Sequence, residues 1–292
     1  MRWLPSILFS AVCLLSGSLW LLPLLDSSLA SELCVLGCGA VFAAAVIWGG
    51  IATRVGVVRL LNGCNWALAL SGIGSLGAPA LLLLAGRQHF SSIMAVATQT
   101  GVPVITAIVG AAVSDGGQSE PHFFAGLTAL AGTLLILPVT LPESSRGWIG
   151  FACYLAAACL TGASSVFCHR EMVRRSRGVA LANVSLANAV FVGAASAVWL
   201  TLGGHWRSAM MALSASSLLA TGVAAASMLG VVALLYLLSP EATAARFVFA
   251  PLIAAAEAYL LMRPTLSGRT LFGAALMLMG GIACLRIKRE TT

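Results

Sequence analysis

The sequence is built almost entirely of apolar runs about as long as a bilayer is thick, set one after another with short polar breaks between them. A helix rises about 1.5 Å per residue, so crossing the hydrocarbon takes about 20 apolar residues. Ten runs meet that length: Leu4 to Leu25, Leu33 to Ala52, Asn65 to Ala85, Ser92 to Val113, Phe123 to Leu141, Trp148 to Cys168, Val179 to Leu202, Ser216 to Leu238, Glu241 to Met262 and Thr270 to Ile287. The breaks carry turn and charge signals, among them Asp26-Ser27-Ser28, Asn62-Gly63, Ser114-Asp115-Gly116-Gly117, Ser239-Pro240-Glu241 and Arg263-Pro264, and none could hold a soluble domain. Of 292 residues, 60% are hydrophobic and 9% charged, whereas a soluble domain carries about 25% charged residues. The mean hydropathy is +0.99. A soluble enzyme and a disordered chain are both excluded, and the fold class expected is an all-α membrane protein with ten transmembrane helices.

Lys and Arg number 16 against 9 acids, a net charge of +7. These charges fall in the gaps between runs and form no stripe, so they predict topology rather than a nucleic-acid partner. With the N-terminus inside, Arg2, Arg54, Arg59, Arg170, Arg174, Arg175, Arg177, Arg246, Arg286, Lys288 and Arg289 are cytoplasmic. Arg87, Arg146, Arg207, Arg263 and Arg269 face out, and eleven against five favours both termini in the cytoplasm. Trp3, Trp48 and Trp66 then fall near the inner interface and Trp20, Trp148, Trp199 and Trp206 near the outer one. Arg2 and Ser28-Leu29-Ala30-Ser31 imitate a secretory signal, but the stretch between them exceeds the usual signal core of about 7 to 15 residues. A retained first helix is expected.

The two halves of the chain resemble each other. Ser91 to Pro103 matches Ser239 to Pro251 at an offset of 148, and each proline is followed by an apolar run, a polar break and a glycine-spaced helix. Those glycines are Gly126 with Gly132 in the first half and Gly273 with Gly280 in the second, while Gly17 and Gly162 continue the pattern. Repeats of 1–145 and 146–292, with five runs each, must insert in opposite senses, and inverted repeats place a substrate site near the bilayer midplane.

On these residues the chain resembles the drug/metabolite transporter superfamily, in its ten-helix form built from two EamA domains. The likeness rests on Ser91 to Val113 and Ser239 to Met262 with their central prolines, on Gly126 to Gly132 and Gly273 to Gly281, and on Ser16-Gly17-Ser18. The resemblance implies an inner (plasma) membrane transporter of small metabolites, most often an exporter of amino acids or related amphipathic compounds. It also implies which segments line the cavity, and their polar residues are Ser16, Ser71, Ser75, Thr98, Gln99, Thr106, Ser164, Ser165, Ser227 and Tyr236. Each of these alone is more often an interhelical hydrogen bond than a ligand contact; together they make a weakly polar lining suited to small neutral or zwitterionic solutes.

Three further features carry chemistry. Pro103 and Pro251 each remove a helix donor, leaving the carbonyls of Gln99 and Phe247 without their usual partner, and are expected as packed kinks or as paired hinges of alternating access. Glu257, about 16 residues into the ninth run, is an intramembrane acid that marks a substrate amine or a coupling proton, or else makes a structural hydrogen bond to a neighbouring helix or sits near the outer headgroups. Arg246 either holds a substrate carboxylate or snorkels to lipid headgroups. Gly72-Ile-Gly74-Ser-Leu-Gly77 spells a dinucleotide fingerprint, but inside an apolar run it reads as small residues for close helix approach.

Eight cysteines form no CxxC pair, and His89, His122, His169 and His205 lie in or near loops with no metal spacing, so no disulfide framework, metal or other cofactor is expected. The partners expected are a small-molecule substrate, protons and membrane lipids. With no ATP-cradling loop, energy comes from the solute gradient or from protons. The alternative function is an intramembrane enzyme acting on lipid-soluble substrates, for which one deep acid is too few catalytic groups.

Overall fold

A computed structural model of the chain describes residues 4–21, 29–56, 65–113, 120–205, 215–262 and 267–286. Arg2, Trp3, Arg59, Cys64, Trp206, Arg207, Arg263, Lys288 and Arg289, used above for topology and cysteine reasoning, lie outside the described residues. So do the breaks at 26–28, 62–63, 114–117 and 263–264.

All regular structure among the described residues is helical. In chain order the helices are α1 (Leu4–Leu21), α2 (Leu29–Val55), α3 (Trp66–Ser75), α4 (Gly77–Arg87), α5 (Ser92–Gln99), α6 (Val102–Val113), α7 (Glu120–Ile136), α8 (Ser145–Val173), α9 (Arg177–Leu202), α10 (Ala215–Leu237), α11 (Pro240–Ala244), α12 (Arg246–Met262) and α13 (Gly268–Arg286). Each of the ten apolar runs is occupied by a helix or by a pair of helices split at an interruption. Eight of these stretches are long and apolar enough to cross a membrane. The other two are α1, of 18 residues, and α7, of 17.

Helix ends follow local chemistry. The fifth run was expected to reach Leu141, but α7 stops at Ile136 because Pro138 disfavours helix at the residue before it. The sixth begins three residues earlier than expected, at Ser145, where the Ser144 hydroxyl accepts from Gly147 N at 3.1 Å. Ser239 caps α11, accepting from Ala242 N at 3.2 Å, with Pro240 in the first position, where its missing N–H removes nothing.

The chain forms two compact units, Met1–Ala78 with Phe167–Leu237, and Pro79–Val166 with Leu238–Thr292. Each draws on both sequence halves. In the first unit α2 packs against α9 and α10, α1 against α10, and α3 against α9. In the second, α7 packs against α13 and α6, α12 against α13, and α11 against α6. Within it α4 meets α8, where Tyr154, fully buried, donates its hydroxyl to Phe90 O at 3.0 Å.

Large side chains cover the outside of these helices: Leu70 is 65% exposed, Phe124 63% and Leu260 74%. The buried set is instead rich in alanine and hydroxyl residues, such as Ala129, Ala157, Thr106 and Thr161. Large apolar residues facing out and small ones facing in is the arrangement of helices solvated by lipid, where association depends on close packing and not on burial from water.

The α7–α13 contact shows this most sharply. A Cβ on Gly132 would lie 2.5 Å from Gly273 O, and one on Gly280 would lie 2.5 Å from Ala125 O, so the two backbones touch. Replacing Gly132 or Gly280 by Val is expected to lower stability by about 1–3 kcal/mol through overpacking. Gly222→Ala, with nothing within 4 Å of its Cβ, is expected to be neutral. Thermal unfolding of the three variants in detergent checks both outcomes.

Candidate functional site

Among the described residues three of the membrane-length stretches are interrupted, and a backbone group stranded at such a place is one that lipid could not satisfy. The first lies at Leu76, between α3 and α4. There Leu76 N donates to Ile73 O at 3.3 Å, one residue short of the helical partner, so Gly72 O and Gly77 N lose theirs. Asn188 of α9, fully buried, answers both: its Oδ1 accepts from Gly77 N at 2.8 Å, and its Nδ2 donates to Gly72 O at 3.2 Å. Ser75 Oγ also donates to Gly72 O, at 2.9 Å. Gly77 must be glycine here, since a Cβ would lie 2.7 Å from Asn188 Oδ1, and a Cβ on Gly72 would press on Val184 at 3.0 Å.

The other two breaks lie in the second unit. The fourth run is interrupted at Thr100-Gly101, where Gly101 N turns back to Thr98 O at 3.1 Å and the new helix opens with Val104 N and Ile105 N on Gly101 O. Pro103 is the second residue of that new helix, where its missing N–H is tolerated. The ninth run is interrupted at Ala245, and Pro251 sits inside the unbroken α12 beyond it. The two prolines thus occupy different settings, one just after a break and the other six residues past one. Near the breaks the two runs touch: Val102, Ala158 and Ala244 form one buried cluster, with Ile105 and Phe247 packed against it.

Polar side chains gather at these two breaks. Gln99, the last residue of α5, is 2% exposed. Thr100 is fully buried and donates to Ala97 O at 2.8 Å. Glu241, in the first turn of α11, and Arg246, the first residue of α12, are also buried. The Arg246 guanidinium lies over the Phe247 ring at 4.5 Å, so this side chain is packed within protein and does not snorkel to headgroups. Two further polar residues come from α8: Thr161 donates to Ala157 O at 2.8 Å and Ser165 to Thr161 O at 2.6 Å.

Most hydroxyls expected to line a cavity bond to their own helices. Ser71 donates to Leu68 O, Thr98 to Met94 O and Ala95 O, and Thr106 to Val102 O. Ser16 and Ser227 meet each other at 3.2 Å and join α1 to α10. Ser164 is half-buried on α8. Tyr236 lies beneath Arg177, whose guanidinium is 5.6 Å from the ring centre, beside the His169 Nδ1 contact to Leu235 O at 2.7 Å. Glu257 is half-buried five residues before α12 ends. Gln99 differs from all of these. Among the described residues it alone has both a side-chain donor and a side-chain acceptor buried with no hydrogen-bond partner.

Asn188 and Glu241 did not emerge from the sequence as site residues. The signal for Asn188 was an amide in the middle of an apolar run, which by default has a role. Glu241 was hidden by its place in a turn-like triplet with Ser239 and Pro240. His122, read as near a loop, is 3% exposed in the first turn of α7. Trp48, read as an interfacial anchor, donates its indole N–H to Ala182 O at 3.0 Å. An open groove of about 580 Å³ between α2 and α9 is lined by Val41, Ala44, Trp48, Leu186, Val190 and Gly193 among others, and none of the expected site residues borders it.

Outward-facing apolar helices enclosing polar breaks define the class: a multi-pass α-helical membrane protein. A solved crystal structure, described only as that of a protein, is similar over 96% of this chain and 95% of its own, with a TM-score of 0.72 and 19% sequence identity. That likeness is one of fold. No family model and no curated protein matches the sequence.

Asn188→Leu keeps the branched heavy-atom shape and removes both bonds to the break, so a loss of at least about 1–3 kcal/mol is expected from the stranded backbone groups. Asn188→Asp retains only the acceptor for Gly77 N and is also expected to unfold earlier than the wild type. Thermal unfolding in detergent measures both, and wild-type stability of Asn188→Leu would show that the break needs no clip.

Proposed function

We propose that the chain is an inner-membrane secondary transporter with ten crossings in two inverted five-helix repeats, moving a small metabolite by alternating access. The observation that carries this reading is the meeting of two interrupted helices, one from each half of the sequence, at Val102 and Ala244, with Gln99, Glu241 and Arg246 buried in the same two runs. Discontinuous helices near the midplane are how transporters of inverted-repeat design present binding groups inside the bilayer. An interruption in a purely structural helix would be a liability that lipid cannot relieve.

The helix contacts support the repeat. With the ten stretches numbered in chain order, the second packs on the seventh, the fourth on the ninth and the fifth on the tenth, each against its own counterpart five positions on. The contact of the second with the eighth is mirrored by that of the third with the seventh. The first with the eighth is mirrored by the third with the sixth, where Gly86 meets Tyr154. A two-fold exchange of halves generates this pattern, and an odd number of crossings per half makes the exchange an inversion.

Export of amino acids or related amphipathic solutes fits a site whose buried charges, Glu241 and Arg246, sum to zero. Glu257 remains the candidate for a coupling proton. Cells expressing the protein are expected to export labelled amino acids or related metabolites faster than control cells, and unchanged flux across a broad panel would remove the transporter reading. Pro103→Ala, which lets the helix run through the break, is expected to slow that flux several-fold with normal membrane insertion. Glu257→Gln is expected to flatten the dependence of flux on external pH; a wild-type pH profile would eliminate its proton role.

A further inference from the structure

Gln99 stands out because no described residue bonds to its side chain. Its carbonyl and amide are both buried, and both lack a hydrogen-bond partner among the described residues. Buried polar groups are nearly always paired, and an unpaired amide lowers stability relative to an apolar side chain of the same size. Leu or Met would fill the same space at the end of α5 without that penalty.

Its position is also that of a binding group. Gln99 ends α5, directly before the turn at Thr100-Gly101. It lies eight residues after the N-cap Ser91, about 12 Å of helical rise, and Arg246 lies seven residues after the N-cap Ser239, about 10 Å. In a hydrocarbon core about 30 Å thick, both depths approach the middle from either face. In the ten-crossing arrangement proposed above, the fourth and ninth runs point in opposite senses. A step back of three residues from Val102 to Gln99 and a step forward of two from Ala244 to Arg246 then move the same way along the bilayer normal. Since Val102 and Ala244 belong to one buried cluster, the amide and the guanidinium come to the same level.

The chemistry of the two groups differs in a way that selects a solute. Arg246 is a pure donor and suits a carboxylate. A primary amide presents an acceptor and a donor side by side in one plane. Its complement is a group with a donor beside an acceptor, which is another carboxamide or a urea-type group. A carboxylate can accept from the Gln99 amide but has no donor for its carbonyl oxygen, so it uses half of the pair at most.

We propose that Gln99 is the specificity-determining contact of the transport site, gripping a carboxamide or urea-type group of the solute through a paired donor and acceptor. This rests on the transporter reading. Because the site is built to hydrogen-bond that group, solutes lacking it are bound at least about tenfold more weakly.

The test compares the purified wild-type protein with Gln99→Leu in detergent. Thermal unfolding is followed with L-glutamine or L-asparagine, and with L-methionine or L-leucine as matched solutes lacking the amide. The wild type is expected to be stabilised by the amide solutes at concentrations at least about tenfold lower than by the others. Gln99→Leu is expected to lose that discrimination and, without solute, to unfold at a higher temperature than the wild type. A lower unfolding temperature with discrimination intact would mean that Gln99 is structural, its amide satisfied by water or by the fold, and would overturn the proposal. Absence of discrimination in the wild type would overturn it equally. If Gln99→Leu does not fold, Gln99→Met of the same chain length takes its place. Labelled-metabolite export separates the two readings. Export without amide discrimination leaves the transporter and removes the role of Gln99, whereas amide discrimination without export keeps the binding site and removes the transporter.

Discussion

In hydrocarbon every backbone N–H and C=O must find its partner within the protein, and this constraint bears hardest on the three described places where a membrane-length helix is interrupted. At Leu76 the deficit is closed by a neighbouring helix, since Asn188 reads both the carbonyl of Gly72 and the N–H of Gly77 with one side chain. At Thr100-Gly101 the chain closes its own deficit with short turns and the Thr100 hydroxyl, and Pro103 resumes the helix where it lacks a donor anyway. At Ala245 the N-cap Ser239 and the acid Glu241 begin a five-residue helix that Arg246 then succeeds. A helix macrodipole favours an acid at such a start.

Holding broken helices in lipid demands tight surroundings. Apolar surface gains little by leaving hydrocarbon for protein, so the helices associate by close backbone approach. The glycines of α7 and α13 touch the opposing backbone, and Gly72 and Gly77 bring α3 and α4 against α9 closely enough for Asn188 to reach the break. Close packing and polar satisfaction are therefore one device: without glycine at 77, the amide that closes the break would have no room.

The membrane class and the placement of ten apolar runs were legible because length and hydropathy are properties of the chain alone. Ser239 as a cap, Pro240 in the first turn and the small-residue reading of Gly72 to Gly77 were legible for the same reason, being local. Pro103 marked its run as irregular, though the break itself falls two residues earlier. The break at Leu76 went unread although Pro79 lies three residues beyond it, and so did its clip, because Asn188 is more than a hundred residues away in sequence. Hydroxyls were ambiguous by nature: a serine in an apolar run can face a cavity or bond to its own carbonyl. Ser71, Ser75, Thr98 and Thr106 do the latter.

By itself the sequence determined the solvent of this protein and the number and approximate ends of its apolar runs, since each depends on residues near one another along the chain. Tertiary structure alone decided which polar groups are satisfied. Whether Asn188 closes a break or Gln99 finds a partner among the described residues depends on what a distant segment brings alongside, and no local pattern records that.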